Sequence, residues 1–159
     1  MPQGSTATRD PISQQLYDGL KALPSSSRLN DAQLETIYAL AYAYVTQKRY
    51  AQALPVFSIL SIYGPTHRHY LAGLALCLEK CERYEEAIGA YSLLIMLFPG
   101  DPQPALQVAE CQLRLGRVDE AIQELDRVLR CIGESGSRYA ALEPRARVLR
   151  DLAGRQVSG

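Results

Sequence analysis

The stretch YAQALPVFSILSIYGP at residues 50–65 returns 34 residues later as YEEAIGAYSLLIMLFP at 84–99, and more loosely as VDEAIQELDRVLRCIG at 118–133. Alanine holds one slot three times, at Ala53, Ala87 and Ala121. Tyr50, Tyr84 and Val118 stand three residues before it, and Phe57, Tyr91 and Leu125 four after. Pro65, Pro99 and Gly133 follow each alanine by twelve residues, and such residues stop helices. Working outward, units 34–67, 68–101 and 102–135 align without a gap. In the first half of each unit Leu40-Ala41, Leu74-Ala75 and Val108-Ala109 set a small side chain where a second helix must come close. A fixed period of this length with helical apolar spacing in both halves predicts helical hairpins stacked in a row.

These positions together resemble the tetratricopeptide repeat. The fold expected is all-α, three tandem repeats forming a short solenoid, with an N-terminal helix and a C-terminal capping helix. The Trp slot of that repeat holds Ile37, Leu71 and Ala105. Asn30 with Gln33 reads as a capping pair ahead of the first long helix. Pro55, about one turn into the second helix, is expected to delay or bend it.

The flanks divide as follows. Residues 1–10 read as a disordered tail, 11–29 as an amphipathic helix and linker, 30–135 as the repeats, 136–153 as the cap and 154–159 as a second tail. Ile12, Leu16, Leu20 and Leu23 form the apolar stripe of the first helix. A helix of about three turns is not stable alone. The stripe is therefore expected to cover the open end of the solenoid or to meet a second copy of the chain. Tyr139, Leu142, Ala146, Leu149 and Leu152 carry the inward spacing of the cap, and Pro144 is expected to kink it or start its main segment.

Lys+Arg and Asp+Glu number 17 each, so the chain lacks the positive field of a nucleic-acid binder. No apolar run approaches the roughly 20 residues that cross a bilayer, and no signal-like segment opens the sequence. The expectation is a cytoplasmic protein without nucleic-acid partners or stable membrane insertion. Cys77, Cys81, Cys111 and Cys131 lie inside helical patterns and read as reduced thiols. Ten tyrosines and no tryptophan supply amphipathic aromatic surface of the kind enriched in protein interfaces.

The first helices of stacked pairs line the binding face of such solenoids. In tetratricopeptide repeats slots 2, 5, 9, 12 and 13 of each unit point inward. The candidate groove residues are accordingly Tyr38, Ala41, Tyr42 and Val45 from the first unit, Ala41 being the neighbouring small slot, His69, Ala72, Leu76 and Glu79 from the second, and Leu106, Glu110 and Leu113 from the third. Glu35, Thr46, Lys80, Gln103 and Arg114 fill the remaining inward slots. Tyr38 and Tyr42 stand where a terminal-carboxylate clamp would need Lys and Asn, which favours a segment presenting bulky apolar side chains. Ile37, Leu40, Ala41 and Tyr44 are expected to do the inward packing, leaving both tyrosines to the groove.

Three segments narrow the resemblance: Leu34 to Tyr42, Gly73 to Cys77, and Pro102 leading to Ala109-Glu110-Cys111, with the run Arg130 to Glu134 before a short basic helix. They are similar to the class II chaperones of bacterial type III secretion, over roughly residues 11–153. The resemblance implies a groove that holds an extended segment of a hydrophobic, pore-forming translocator and keeps it secretion-competent. It also implies homodimerisation through the N-terminal region, here Ile12, Leu16, Leu20 and Leu23. The pattern's frequent aromatic at slot 12 is Val45 here, which leaves one pocket wall smaller. A scaffold subunit built on the same repeat, or a needle-subunit chaperone of the same system, remains open as an alternative.

No Gly-rich phosphate loop, His-Glu-x-x-His or nucleophile elbow is present, so no enzyme and no cofactor is expected. His67, His69, Cys77 and Cys81 lack the spacing of a structural zinc site. The carboxylates Glu85, Glu86, Asp119 and Glu120 sit at helix starts, where the macrodipole accounts for them.

Overall fold

The computed structural model describes residues 10–159, all of whose regular elements are helical. The tail expected at residues 1–9 lies outside the described residues. Helices follow in the order α1 (Pro11–Lys21), α2 (Asp31–Thr46), α3 (Tyr50–Tyr63), α4 (Arg68–Lys80), α5 (Tyr84–Leu97), α6 (Gln103–Arg114), α7 (Val118–Glu134) and α8 (Glu143–Ser158), with 3-10 turns at Pro24–Ser27 and Ala140–Leu142. From α2 onward each helix packs against the next, giving the hairpins α2–α3, α4–α5 and α6–α7.

The repeat slots explain this packing. Ala41, Ala53, Ala75, Ala87, Ala109 and Ala121 are all fully buried, so each hairpin closes over two methyl groups. Cys77 and Cys111 occupy one equivalent core slot, where burial pushes the thiols up to about 11 and about 12 respectively. Gly73 serves the contact between successive units. A Cβ there would lie 2.1 Å from the ring of Phe57, itself 2% exposed, so α3 and α4 approach as closely as they do only around glycine.

The turn inside each hairpin also obeys the period. Lys48, Glu82 and Gly116 take φ of 57°, 61° and 74°. The next residues, Arg49, Arg83 and Arg117, donate backbone N–H groups to the carbonyls of Tyr44, Leu78 and Gln112 at 2.9, 2.9 and 2.8 Å. This is the Schellman end, in which a left-handed residue satisfies the last carbonyls of a helix. At the start of α2 the capping pair is reciprocal: Asn30 accepts from the Gln33 N–H at 2.8 Å, and the Gln33 side chain accepts from the Asn30 N–H at 3.0 Å.

Four expectations change. The helix α3 does not start late: it begins at Tyr50, in phase with Tyr84 and Val118, and continues through Pro55. That ring is exposed near the helix start, where water can take the one carbonyl left free. Asp10 belongs to α1 and not to a tail, because its side chain accepts from the Ser13 N–H at 2.8 Å as N-cap. The C-terminal tail begins later than residue 154, since α8 continues to Ser158. Ala146 and Ala153, one heptad apart, are both buried, and the helix runs on through Gly154. Pro144 lies in the first turn of α8 and starts it.

The fourth change concerns α1, which neither caps the open end of the solenoid nor presents its whole stripe. It lies along α5, where Leu16, Tyr17 and Leu20 pack on a cluster that includes Leu71, Ala90 and Leu94, and the Tyr17 ring meets Phe98 edge-on at 6.5 Å. Leu16 and Leu20 are thereby used within the chain, while Ile12 and Leu23 stay 71% and 44% exposed. At the other end α8 covers the last hairpin, joined to it by Arg145–Glu110 at 2.5 Å and Arg150–Asp126 at 2.7 Å. Among the described residues no helix is long and apolar enough to cross a membrane.

Candidate peptide-binding groove

The helices α2, α4 and α6, with α8 beyond them, line the face on which the inward slots converge, and its character changes along its length. At α2 it is aromatic. The Tyr38 ring lies 5.6 Å from Tyr70, 6.1 Å from Phe57 and 6.2 Å from Tyr42, centroid to centroid. Tyr42 itself is 57% exposed. Tyr70 stacks on His67 at 4.5 Å, and its hydroxyl pKa is raised, first by burial and then by the negative charges of Glu35 and Asp31.

At the middle, Ala72 and Leu76 of α4, Tyr91 and Leu94 of α5, and Pro104 and Gln107 of α6 surround a pocket of about 260 Å³. Arg68 and Asp101 form an ion pair at its edge, with the guanidinium also over the Phe98 ring at 5.7 Å. Asp101 has a second duty, accepting the Gln103 N–H at 2.9 Å at the start of α6. The buried Oε1 of Gln107 has no hydrogen-bond partner. A buried acceptor left unpaired costs about 1 to 3 kcal/mol.

Toward α8 the lining becomes charged. Glu79, Lys80, Glu110, Arg114 and Arg145 ring a second pocket of about 230 Å³ whose apolar wall is Leu113 and Leu149. The buried Tyr91 hydroxyl donates to Glu79 at 2.7 Å. Burial and that bond raise the Tyr91 pKa. The Glu110 carboxyl is raised as well, because burial outweighs the stabilising charge of Arg145.

Of the residues proposed for the groove from sequence, Tyr38, Val45, Ala72, Leu76, Glu79, Glu110 and Leu113 are half-buried, and Tyr42 and His69 are exposed. Ala72 and Leu76 meet in the middle pocket, and Glu79, Glu110 and Leu113 in the charged one. His69 lines neither pocket. Ala41 and Leu106 are corrected. At 0% and 2% exposure they belong to the core, Ala41 in the cluster with Ala53 and Phe57, and Leu106 in the one that α6 and α7 share with Ala146 of α8. Tyr38 also packs against the first of these clusters, so it serves the core and the groove together. Arg68, Asp101, Gln107, Tyr91 and Arg145 were not anticipated. Tyr91 was visible as a helix anchor, but the sequence does not say that its hydroxyl reaches Glu79. Arg68 and Gln107 stand at slots 1 and 6, which a list of inward slots omits.

Comparison with known proteins agrees with this geometry. Two family models, each described as tetratricopeptide repeat, match residues 38–102 and 78–146. The two overlapping matches together place tetratricopeptide repeats over residues 38–146. Curated relatives include the chaperone protein SicA of Salmonella typhimurium, 28% identical over 90 residues, 57% of this chain and 54% of SicA. The low calcium response locus protein H of Yersinia pestis is 30% identical over 88 residues, 55% of this chain and 52% of that protein. The aligned part thus spans about half the length of these relatives. PcrH from Pseudomonas aeruginosa, as a crystal structure, has a TM-score of 0.71 at 25% identity, over 79% of this chain and 95% of PcrH. PcrH bound to the chaperone-binding region of PopB gives 0.70 at 25% identity, over 77% and 98%. The Yersinia enterocolitica type III secretion translocator chaperone SycD shares the fold, with a TM-score of 0.75 at 23% identity over 83% and 90%. SicA is named as a chaperone and SycD as a translocator chaperone, the kind of protein that the sequence resembles.

Proposed function

We propose that this chain is a cytoplasmic chaperone of type III secretion that holds an extended segment of a hydrophobic, pore-forming translocator and keeps it soluble until export. The observation that carries the reading is Tyr42, a large ring 57% exposed beside half-buried Tyr38 at one end of a groove with an apolar pocket at its centre. Exposed aromatic surface next to a pocket suits capture of bulky apolar side chains. An extended segment also brings backbone N–H groups, and Gln107 Oε1 is a buried acceptor without a partner. The related structure with the chaperone-binding region of PopB supports a translocator as occupant. The role is one of binding, with no catalytic step and no cofactor.

The chain also pairs with a second copy through its N-terminal end. Leu40, Ile59 and Ile62 of the first hairpin are 50%, 45% and 57% exposed, and Ile12 and Leu23 of the N-terminal segment are exposed as well. Closed two-fold pairing is the commonest way such a surface is shared.

Purification of the chain from its own cells, followed by mass spectrometry, is expected to return a secreted protein with long apolar stretches. Recovery of the fixed members of a permanent complex, and no such protein, would make the chain a scaffold subunit and overturn the reading.

A further inference from the structure

Five charged side chains gather at the α8 end of the groove: Glu79 and Lys80 from α4, Glu110 and Arg114 from α6, and Arg145 from α8. Both carboxylates are engaged, Glu79 with the Tyr91 hydroxyl at 2.7 Å and Glu110 with Arg145 at 2.5 Å. Lys80 and Arg114 are exposed, and neither enters an ion pair among the described residues. They occupy one repeat slot on neighbouring first helices, where α2 has Thr46. Both line the same pocket of about 230 Å³, where two long cationic side chains can close around one carboxylate.

A helix C-terminus favours a cation without any ligand, and both residues stand in a last turn. The helix ends do not account for the balance of the pocket, three cations against two carboxylates that are both already held. A basic side chain entering here would meet two like charges and, with Glu110 paired to Arg145, only Glu79, which already accepts the Tyr91 hydroxyl. An acidic one would find two cations that stand outside any ion pair among the described residues.

We propose that the segment held in the groove carries an aspartate or glutamate side chain at its α8 end, received between Lys80 and Arg114. This rests on the reading of the groove as a site for an extended segment and deepens it. The tyrosine end supplies apolar anchorage, and the cationic end sets register and direction, since a segment bound in reverse would place its acid against Tyr38 and Tyr42.

The test is affinity selection of random twelve-residue peptides, acetylated and amidated at their ends, on the immobilised full chain. Selected peptides are expected to carry Asp or Glu at a fixed distance from bulky apolar residues. Replacing that acid by its amide should weaken binding by about 3- to 10-fold, the effect of two solvent-exposed ion pairs. With Lys80→Glu and Arg114→Glu together, the preference at that position should turn to Lys or Arg while the apolar preferences stay. If the glutamate pair lowers the thermal midpoint, Lys80→Gln with Arg114→Gln replaces it, and the acidic preference should then vanish. Apolar selection without any charge preference overturns this inference and leaves the groove reading standing. Absence of apolar selection overturns the groove reading itself. A parallel library with free C-termini separates the two sources of a carboxylate: acid selection that appears only there would mean a chain terminus, and would contradict an acidic side chain.

Discussion

The two ends of the solenoid are finished in different ways. At the C-terminal end α8 lies over the last hairpin, buries Ala146 and Ala153, and is joined to it by Arg145–Glu110 and Arg150–Asp126. At the N-terminal end the helix available for the same purpose, α1, packs sideways on α5, and the first hairpin keeps Leu40, Ile59 and Ile62 in solvent. A stack of repeats needs its terminal apolar faces covered to remain soluble. One end is covered within the chain, and the other keeps apolar side chains in solvent. That open end is also where the groove is aromatic, so the surfaces proposed for a second copy and for a bound segment lie on the same hairpin.

Truncation tests this difference with the largest effect. Removing residues 143–159 uncovers Leu106, Leu125, Val128 and Ile132, at roughly 1.5 to 3 kcal/mol for each large side chain returned to water. Loss of cooperative melting is expected. Removing residues 1–23 takes away only the partly buried Leu16, Tyr17 and Leu20 from the edge of the α5 cluster and should leave a folded protein with a lower midpoint. Equal damage from both truncations would break the contrast.

Within the N-terminal half, Gly73→Ala should cost about 1 to 3 kcal/mol, because the added methyl group must displace the Phe57 ring. Chemical denaturation gives the value. A smaller contrast divides the two tyrosines of the groove. Tyr38→Ala removes ring contacts with Phe57 and Tyr70 and is expected to cost about 1 to 3 kcal/mol, whereas Tyr42→Ala should stay within about 0.5 kcal/mol of the parent. The smallest effect belongs to the interior turns. Glu82→Gly relieves a left-handed non-glycine residue at the slot where the third unit already has Gly116, and should raise stability by a few tenths to about 1 kcal/mol. A lower thermal midpoint for this variant would show that the turn conformation is misassigned.

The repeat was legible because burial acts on every unit alike. The six alanines, the Phe57–Tyr91–Leu125 slot and the pair Cys77 and Cys111 each answer the same packing demand once per 34 residues. The left-handed turn was less legible, since the period is carried there by backbone conformation and two of its three residues, Lys48 and Glu82, are not glycine. The course of α1 was hidden for a different reason. Amphipathic spacing says that a helix has a partner, but not which one, and Tyr17 took a place in the packing that the leucine stripe alone did not suggest. In the groove, the inward slots identified helix faces and could not separate floor from core. Ala41 and Leu106 therefore fell inside, while Arg68, Asp101 and Gln107 emerged only from the way neighbouring units meet.

The central claim is that the partner lies along the face of α2, α4 and α6. Photo-crosslinking tests it directly, with benzoylphenylalanine in place of Tyr42 on that face and, in a second variant, in place of exposed Gly89 beside the pocket between α3 and α5. With a translocator co-expressed, irradiation should join it to the Tyr42 variant and not to the Gly89 variant. Crosslinks at position 89 with none at 42 would contradict the account.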